Sequence, residues 1–319
     1  MSRDAFLTAP PESSAGQSLL GRAKLLLIAK GSAVLMPVVR KAAGSYIGGE
    51  TVEEALSVAC RLAAEGHPAT LGYWDTGHQS PAECARIGLE AVVALGNEAF
   101  DGYVSLKPPA LGFSAESAQT IARAAAEKNL RLHCDSHGPE AVAPSNAFAE
   151  ALLAILPPEK VGTTLPGRWL RSLADADWAM ARGLPVRVVK GQWPDPADPK
   201  RDLAEGFLAV IGRLCQGASH VAVATHDAPL AREAIARLKA ANVSCEVEVL
   251  LGMPAAPLLV WTKETGVTSR IYVPYGPGFV PNAIGVLRRN PRLLVAVAKE
   301  RVATAAAFAA SVFSASPKR

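Results

Sequence analysis

The chain has 319 residues, of which 50% are hydrophobic and 19% charged, a composition that is ordinary for a globular protein and sufficient for one large α/β domain. Its formal net charge of +4 comes from Lys and Arg scattered along the sequence, without the dense basic runs of a nucleic-acid groove, so no nucleic-acid partner is expected. The 5 cysteines include no C-x-x-C pair, which argues against a zinc ribbon and indicates reduced thiols in a cytoplasmic protein.

The beginning of the chain is rich in Ser, Pro and Ala, and we expect residues 1–18 to form a flexible tail. Residues 19–64 are predicted to form helices that cap or wrap the N-terminal side of the following domain. The most apolar stretch of this segment, 25–39, is broken by Lys30 and Pro37 and falls short of the roughly 20 residues that span a bilayer. The segment therefore predicts no membrane span.

Eight short β-type runs follow at uneven but persistent spacing. They are ATLGYW from Ala69, YVSLK from Tyr103, RLHCD from Arg131, VGTTL from Val161, VRVVK from Val186, HVAVAT from His220, CEVEVL from Cys245 and RIYVPY from Arg270. Ala-rich segments with apolar residues at helical spacing separate them. Eight alternations of strand and helix over about 250 residues predict an α/β fold, a closed (βα)8 TIM-type barrel over 65–319 with extra N-terminal helices. A doubly wound open sheet is the alternative, although no G-x-G-x-x-G follows any run.

Polar side chains gather where the predicted strands end, which is where barrel enzymes place their reacting groups. They are Asp75, Lys107, Asp135, Arg187, Lys190, Thr225, His226, Glu246, Glu248, Tyr272 and Tyr275. Each alone is also explained as a solvated loop residue or a helix cap. Together, the cations Lys107, Arg187 and Lys190 with the carboxylates of Asp135 and Glu248 predict a site for a phosphate-bearing cofactor beside an amino acid.

Four ordered segments carry a more specific signal. They are VRVVKGQW at 186–193, ATHD at 224–227, EVEVLLGM at 246–253 and RIYVPYG at 270–276. In order and spacing they resemble the strand 5 to strand 8 motifs of the proline dehydrogenase family, and VSLKPPALG at 104–112 and LHCDSHG at 132–138 resemble its strand 2 and strand 3 motifs. The resemblance implies a flavoprotein oxidoreductase of proline catabolism. Such an enzyme holds FAD at the C-terminal face of the barrel and oxidises L-proline, or a proline-like cyclic amino acid, to the pyrroline by hydride transfer to flavin N5.

The resemblance also implies roles for individual residues. The catalytic and substrate-binding set is Lys107, Asp135, Tyr272 and the arginine pair Arg288 and Arg289. The cofactor-binding set is Arg187, Lys190, Gly191, Trp193, Thr225, His226 and Glu248. Arg187 would lie against the flavin, where a fixed cation favours the anionic reduced ring. A quinone or another electron acceptor would reoxidise the flavin, which leaves a peripheral membrane contact open.

Several positions depart from the family pattern. Pro166 stands near the place of a glutamine at the end of strand 4, and Glu248 replaces the glutamine of strand 7. In the last helix the family's two adjacent arginines correspond to Gly285 and Val286, and the arginine pair of this chain comes three residues later. A flavin-binding barrel that acts on a different cyclic amine is therefore an alternative.

Three other functions remain open from the residues alone. A metal-dependent barrel hydrolase or isomerase would draw its ligands from His133, Asp135, His226, Glu246 and Glu248. A Schiff-base aldolase would use Lys107 or Lys190, since burial can activate a lysine. A retired enzyme would bind flavin or another small ligand without turnover. No metal site is predicted, because the neighbouring cations would oppose one.

Overall fold

The structure of the protein, a computed structural model, describes residues 48–278, in which eight parallel strands close into a barrel. The strands are β1 Ala69–Tyr73, β2 Gly102–Leu106, β3 Arg131–Cys134, β4 Val161–Pro166, β5 Val186–Val189, β6 His220–Ala224, β7 Ser244–Leu250 and β8 Ser269–Tyr275. Each strand pairs with the next, and β8 returns to β1 with Tyr272 opposite Thr70. The predicted barrel and its eight strands are confirmed, and the open-sheet alternative is wrong.

Helices surround the barrel and alternate with its strands. They are α1 Val52–Ala64, α2 Pro81–Leu95, α3 Ala115–Glu127, α4 Val142–Leu153, α5 Ser172–Ala181, α6 Leu203–Leu214, α7 Ala228–Ala240 and α8 Ala256–Thr265. Several begin at a local signal in the sequence, as α1 does with a capping box between Thr51 and Glu54. Helix α1 contacts β1, β8 and α2, so this part of the predicted N-terminal helical segment lies in the outer ring. Among the helices of residues 48–278, none has the combined length and hydrophobicity of a membrane-spanning segment.

The predicted division of the chain into a tail, a helical segment and a barrel domain stays a prediction. The predicted tail, most of the predicted helical segment and the predicted last helix, which would contain Arg288 and Arg289, lie outside the described residues.

The strands bury apolar side chains against the helices and turn polar side chains into the barrel. Leu71, Leu132 and Val188 belong to the apolar layer between the sheet and the helices. Because side chains alternate along a strand, the neighbours Thr70 and Arg187 point inward. The interior of this barrel is therefore polar and charged, although branched apolar residues are usual in such barrels.

A charged layer closes the amino-terminal end of the barrel. Arg270 Nε donates to Glu246 Oε1 over 2.8 Å, and Nη2 of the same guanidinium donates to the Asp101 carboxylate. Burial would raise the pKa of Glu246, but His220 and Arg270 beside it lower this pKa to about 2. The prediction that Glu246 lies at the carboxyl-terminal rim is wrong, because it comes two residues earlier on β7 than Glu248 and so lies about one layer lower.

Tyr275 stands at the carboxyl end of β8, but its side chain does not line the cleft described below. The centroids of the Tyr275 and Tyr73 rings lie 5.5 Å apart, and the side chain of Tyr275 is buried outside this cleft.

Candidate active site

A cleft of about 580 Å³ opens at the carboxyl ends of the strands, within the usual size of a small-molecule site. Its apolar lining includes Trp74, Pro109, Ala110, Pro166, Val189, Trp193, Leu250 and Met253. The charged residues Lys107, Asp135, Arg187 and Glu248 also line it, together with Tyr272. We call these five residues the floor of the cleft. The cleft thus combines apolar walls with a charged base.

Asp135 connects most of the floor. Its Oδ2 accepts hydrogen bonds from Lys107 Nζ at 2.6 Å and from the Tyr272 hydroxyl at 2.8 Å. Its Oδ1 accepts from Arg187 Nη1 at 2.6 Å and from Ser105 Oγ at 2.7 Å. Burial would raise the pKa of Asp135, but the charges of Lys107 and Arg187 hold it well below its usual range. Asp135 is therefore an ionised anchor that fixes four other polar side chains.

Arg187 spans the floor from β5 to β7. Its Nε and Nη2 donate to the two carboxylate oxygens of Glu248, at 2.7 and 3.1 Å. Glu248 also accepts from Thr70 Oγ1 at 2.9 Å and from the Tyr103 hydroxyl at 3.0 Å. The side chains of Arg187 and Glu248 are only 4% and 2% exposed, so solvent does not screen this ion pair.

Lys107 and Tyr272 remain protonated near neutral pH. Burial would lower the pKa of Lys107, but the Asp135 carboxylate and the Tyr272 hydroxyl outweigh it and raise that pKa. Burial and the same carboxylate raise the pKa of Tyr272 to about 12. A Schiff-base nucleophile must be a neutral amine, so the protonated state of Lys107 argues against the aldolase hypothesis.

Tyr272 reaches Asp135 by lying across Gly72 of β1, where an added Cβ would come within 2.0 Å of the tyrosine hydroxyl oxygen. We expect Gly72→Ala to displace Tyr272 and to lower the free energy of unfolding by roughly 1–3 kcal/mol, the usual cost of overpacking. Urea unfolding measures this loss. Gly212→Ala in α6 is the matched control, because nothing lies within 4 Å of its Cβ position. Equal stability of the two variants would contradict the placement of Tyr272.

Thr225 and His226, which follow β6, lie at the wall of the cleft, and their side chains form hydrogen bonds within the protein. His226 Nδ1 lies 3.2 Å from the Pro254 carbonyl oxygen, and its Nε2 accepts from the Leu250 amide over 3.1 Å. Thr225 Oγ1 accepts from the backbone N–H of Asp227. Both residues line the cleft, and the imidazole of His226 joins the loops after β6 and β7. Direct cofactor contacts of these two side chains stay a prediction.

The loop after β5 forms another part of the wall. Gly191 and Trp193 line the cleft, and Gly191 adopts a φ of +97°, with Pro166 Cβ only 2.9 Å from its Cβ position. Lys190 is not among the lining residues, because its Nζ donates to Asp227 Oδ2 over 2.9 Å at the edge of the site. The predicted cofactor contact of Lys190 stays a prediction.

Sequence reasoning missed several residues of the site. Tyr103, Ser105 and Thr164 bind Arg187, and their inward direction follows from strand alternation once the neighbouring apolar residues are assigned to the core. His137 lines the cleft beside Trp193, with ring centroids 6.3 Å apart. Burial, and then the charge of Lys107, lower the pKa of His137 to about 4, so its imidazole is neutral.

The geometry argues against the metal-dependent alternative. No group of three or more His, Cys, Asp or Glu side chains in residues 48–278 is arranged to hold a metal ion. Among the candidate ligands, Glu246 is paired with Arg270 in the lower layer, and His133 Nε2 lies 3.0 Å from Thr164 Oγ1. The remaining carboxylates of the set are bound to Lys107 and Arg187.

Comparison with known proteins gave sequence relatives but no matching family model. The chain is 26% identical over 257 residues to Proline dehydrogenase 1 of Bacillus subtilis subsp. natto, covering 74% of this chain and 83% of that protein. It is 24% identical over 253 residues to Proline dehydrogenase of Deinococcus radiodurans, covering 72% and 80% respectively.

Solved structures show the same fold. Proline utilization A (PutA) from Bdellovibrio bacteriovorus, inactivated by N-propargylglycine, matches with a TM-score of 0.65 at 19% identity, over 77% of this chain and 32% of that one. PutA from Corynebacterium freiburgense matches with a TM-score of 0.64 at 16% identity, over 89% and 34%. This chain spans about a third of the length of these two proteins.

Proposed function

The chain is assigned to the proline dehydrogenase family, and on that premise we propose that it is an FAD-dependent oxidoreductase that converts L-proline, or a proline-like cyclic amino acid, to the pyrroline. The observation that carries the proposal is the convergence of the family-like motifs on one cleft. Their residues in the lining are Lys107, Asp135, Arg187, Gly191, Trp193, Thr225, His226, Glu248 and Tyr272. They come from strands far apart in sequence.

The cleft fits a flat cofactor ring. Trp74, Val189 and Met253 offer apolar surface, while the floor offers charge below it. The buried Nδ1 of His137 has no hydrogen-bond partner among residues 48–278, as expected for a group that meets a ligand. Gly191 and Trp193 would hold FAD from the β5 side, and Thr225 and His226 from the β6 side. When bound, FAD supplies the two-electron acceptor.

The floor residues would act by position and charge. Asp135 holds Lys107 and Tyr272 toward the cleft, where the Lys107 ammonium would face the substrate carboxylate. The pKa of Asp135 lies far below neutral pH, which makes this carboxylate a weak base. We therefore infer that Asp135 orients its partners and does not remove a proton from the substrate.

We expect the purified protein to carry non-covalent FAD, because the apolar walls and the charged floor meet the needs of a flavin ring. Its absorption spectrum, before and after denaturation and desalting, measures the cofactor and shows whether it is released. A colourless protein that takes up no added FAD would contradict the proposed function.

The substrate can be tested through its carboxylate. Arg288 and Arg289 are predicted to clamp that group, and both lie outside the described residues. We expect proline to reduce the flavin faster than pyrrolidine does, and Arg288→Ala to remove most of this difference. Stopped-flow flavin reduction with proline, hydroxyproline and pyrrolidine gives the rates. Equal rates for proline and pyrrolidine, unchanged in the variant, would favour the alternative of a different cyclic amine.

The electron acceptor belongs to the same proposal. A quinone would serve the proposed reaction, and a peripheral membrane contact would bring the site near it. The cytoplasmic location is likewise a prediction from the sequence.

A further inference from the structure

The guanidinium of Arg187 has no N–H left for a ligand. Glu248 takes the Nε donor and one donor of Nη2, and the Tyr103 hydroxyl takes the other Nη2 donor at 3.1 Å. The Nη1 donors face Asp135 at 2.6 Å, Ser105 Oγ at 3.2 Å and Thr164 Oγ1 at 3.4 Å. All five donors of an arginine side chain thus point at protein acceptors. Arg187 can act on a cofactor through its charge or its flat face, but not through a free donor.

The charge of Arg187 is itself balanced. Lys107 and Arg187 supply two positive charges to the floor, and Asp135 and Glu248 supply two negative charges. Asp135 is shared between both cations. Glu248 binds Arg187 on two oxygens, and within residues 48–278 its further hydrogen bonds come only from neutral hydroxyls, those of Thr70 and Tyr103. Glu248 is therefore the carboxylate assigned to Arg187 alone.

From this geometry we propose that Glu248 is a positioning residue that cancels the charge of Arg187 at the floor of the cleft and so would keep the reduction potential of a bound flavin low. This inference rests on the proposed function. A buried charge acts strongly on a neighbouring group because little solvent screens it. An uncompensated Arg187 would favour the anionic reduced ring, and Glu248 removes that advantage.

Glu246 provides the matched control. It lies two residues earlier on the same face of β7, is 4% exposed at its side chain, and is paired with Arg270 in place of Arg187. It does not line the cleft. Glu246→Gln thus also removes one buried negative charge, but from the charged layer at the amino-terminal end of the barrel, below the cleft.

The reduction potential of bound FAD, measured by equilibration with a reference dye, tests the proposal. We expect Glu248→Gln to favour reduced flavin at least tenfold more than the parent does, which is about 30 mV for a two-electron couple. Glu246→Gln should leave the potential unchanged, and so should Thr70→Val, which removes a hydrogen bond to Glu248 but no charge. An unchanged or lower potential in Glu248→Gln overturns the proposal.

A second variant and a second measurement cover the other outcomes. If Glu248→Gln does not fold, Glu248→Met takes its place in the experiment, because it removes the same negative charge without burying an amide. We expect Glu248→Met to raise the reduction potential of the bound flavin as well. In flavin-free protein labelled with ¹⁵N, the Nε–H of Arg187, assigned with Arg187→Lys, should exchange slowly with water. Rapid exchange in the parent overturns the pairing. A protein that binds no FAD contradicts the proposed function, and this NMR measurement still tests the ion pair.

Discussion

Replacing Arg187 with alanine is expected to destabilise the barrel by about 3–5 kcal/mol, because the change leaves a buried carboxylate without its cation. That carboxylate belongs to Glu248, which is 2% exposed at its side chain and cannot recover the lost interaction from solvent. Urea unfolding at pH 7 measures the change in the free energy of unfolding. The same variant leaves the floor with a net negative charge. We therefore expect weaker FAD binding and flavin reduction slowed by about 10²–10³-fold.

Arg213→Ala is the control for this prediction. Arg213 also binds a carboxylate through two nitrogens, at 2.6 and 2.7 Å from Asp177, but both side chains are at least 40% exposed. Exposed pairs contribute little to stability, so this variant should unfold close to the parent. If Arg187→Ala unfolded at the same urea concentration as Arg213→Ala and kept its full flavin content, the buried pair with Glu248 would be refuted.

The barrel was predictable because its pattern is local. Each strand is a short run of β-branched and apolar residues, and each connecting helix has apolar residues at helical spacing. The order of the strands then follows from the strict alternation, since consecutive parallel strands joined by a helix lie side by side. No contact between distant residues is needed to obtain this architecture.

The pairing inside the barrel could not be obtained in the same way. Arg187 lies 61 residues from Glu248 and 52 from Asp135 in the sequence, and only the closed barrel brings them within hydrogen-bonding distance. Alternation predicts that Glu246 and Glu248 point to the same side of β7, and their order along the strand places Glu246 lower, but neither shows at which level the cleft begins. The level of the cleft in the closed barrel determines that Glu248 lines the cleft, whereas Glu246 pairs with Arg270 below it.

The roles of His226 and Lys190 were also beyond the reach of the sequence pattern. A histidine at a strand end can face a ligand or join two loops, and only the positions of Leu250 and Pro254 show that this imidazole contacts the loop after β7. Lys190 follows Arg187 by three residues in the same motif, yet it pairs with Asp227 at the edge of the site.

Replacing Asp135 with asparagine is expected to cost roughly 3–5 kcal/mol of stability, because two buried cations then share a floor with a single carboxylate. The introduced side chain would retain one acceptor oxygen and place an amide N–H₂ against donors. Lys107 and Tyr272 would lose their common anchor, and we expect kcat/KM for proline to fall about 100-fold from their misplacement. Asp227→Asn is the control, since it removes a half-exposed ion pair and asparagine caps α7 as well as aspartate does.

The dependence of this loss on pH follows from the two pKa shifts. The depressed pKa of Asp135 stabilises the parent above the ordinary value of 3.8, and this stabilisation disappears as pH falls below it. The raised pKa of Lys107 stabilises the parent below the ordinary value of 10.5 and ceases to do so as pH rises beyond it. In Asp135→Asn, burial lowers the pKa of Lys107 because the Asp135 carboxylate no longer opposes this effect. The variant therefore becomes more stable as pH rises toward the ordinary value of 10.5.

The stability difference between parent and Asp135→Asn should therefore be largest near neutral pH and should shrink in both acid and alkali. Urea unfolding at pH 3, 7 and 10 measures it. A difference that stays constant across this range would mean that Asp135 acts as a neutral hydrogen-bond acceptor, and the ionised anchor inferred from its contacts with Lys107 and Arg187 would be wrong.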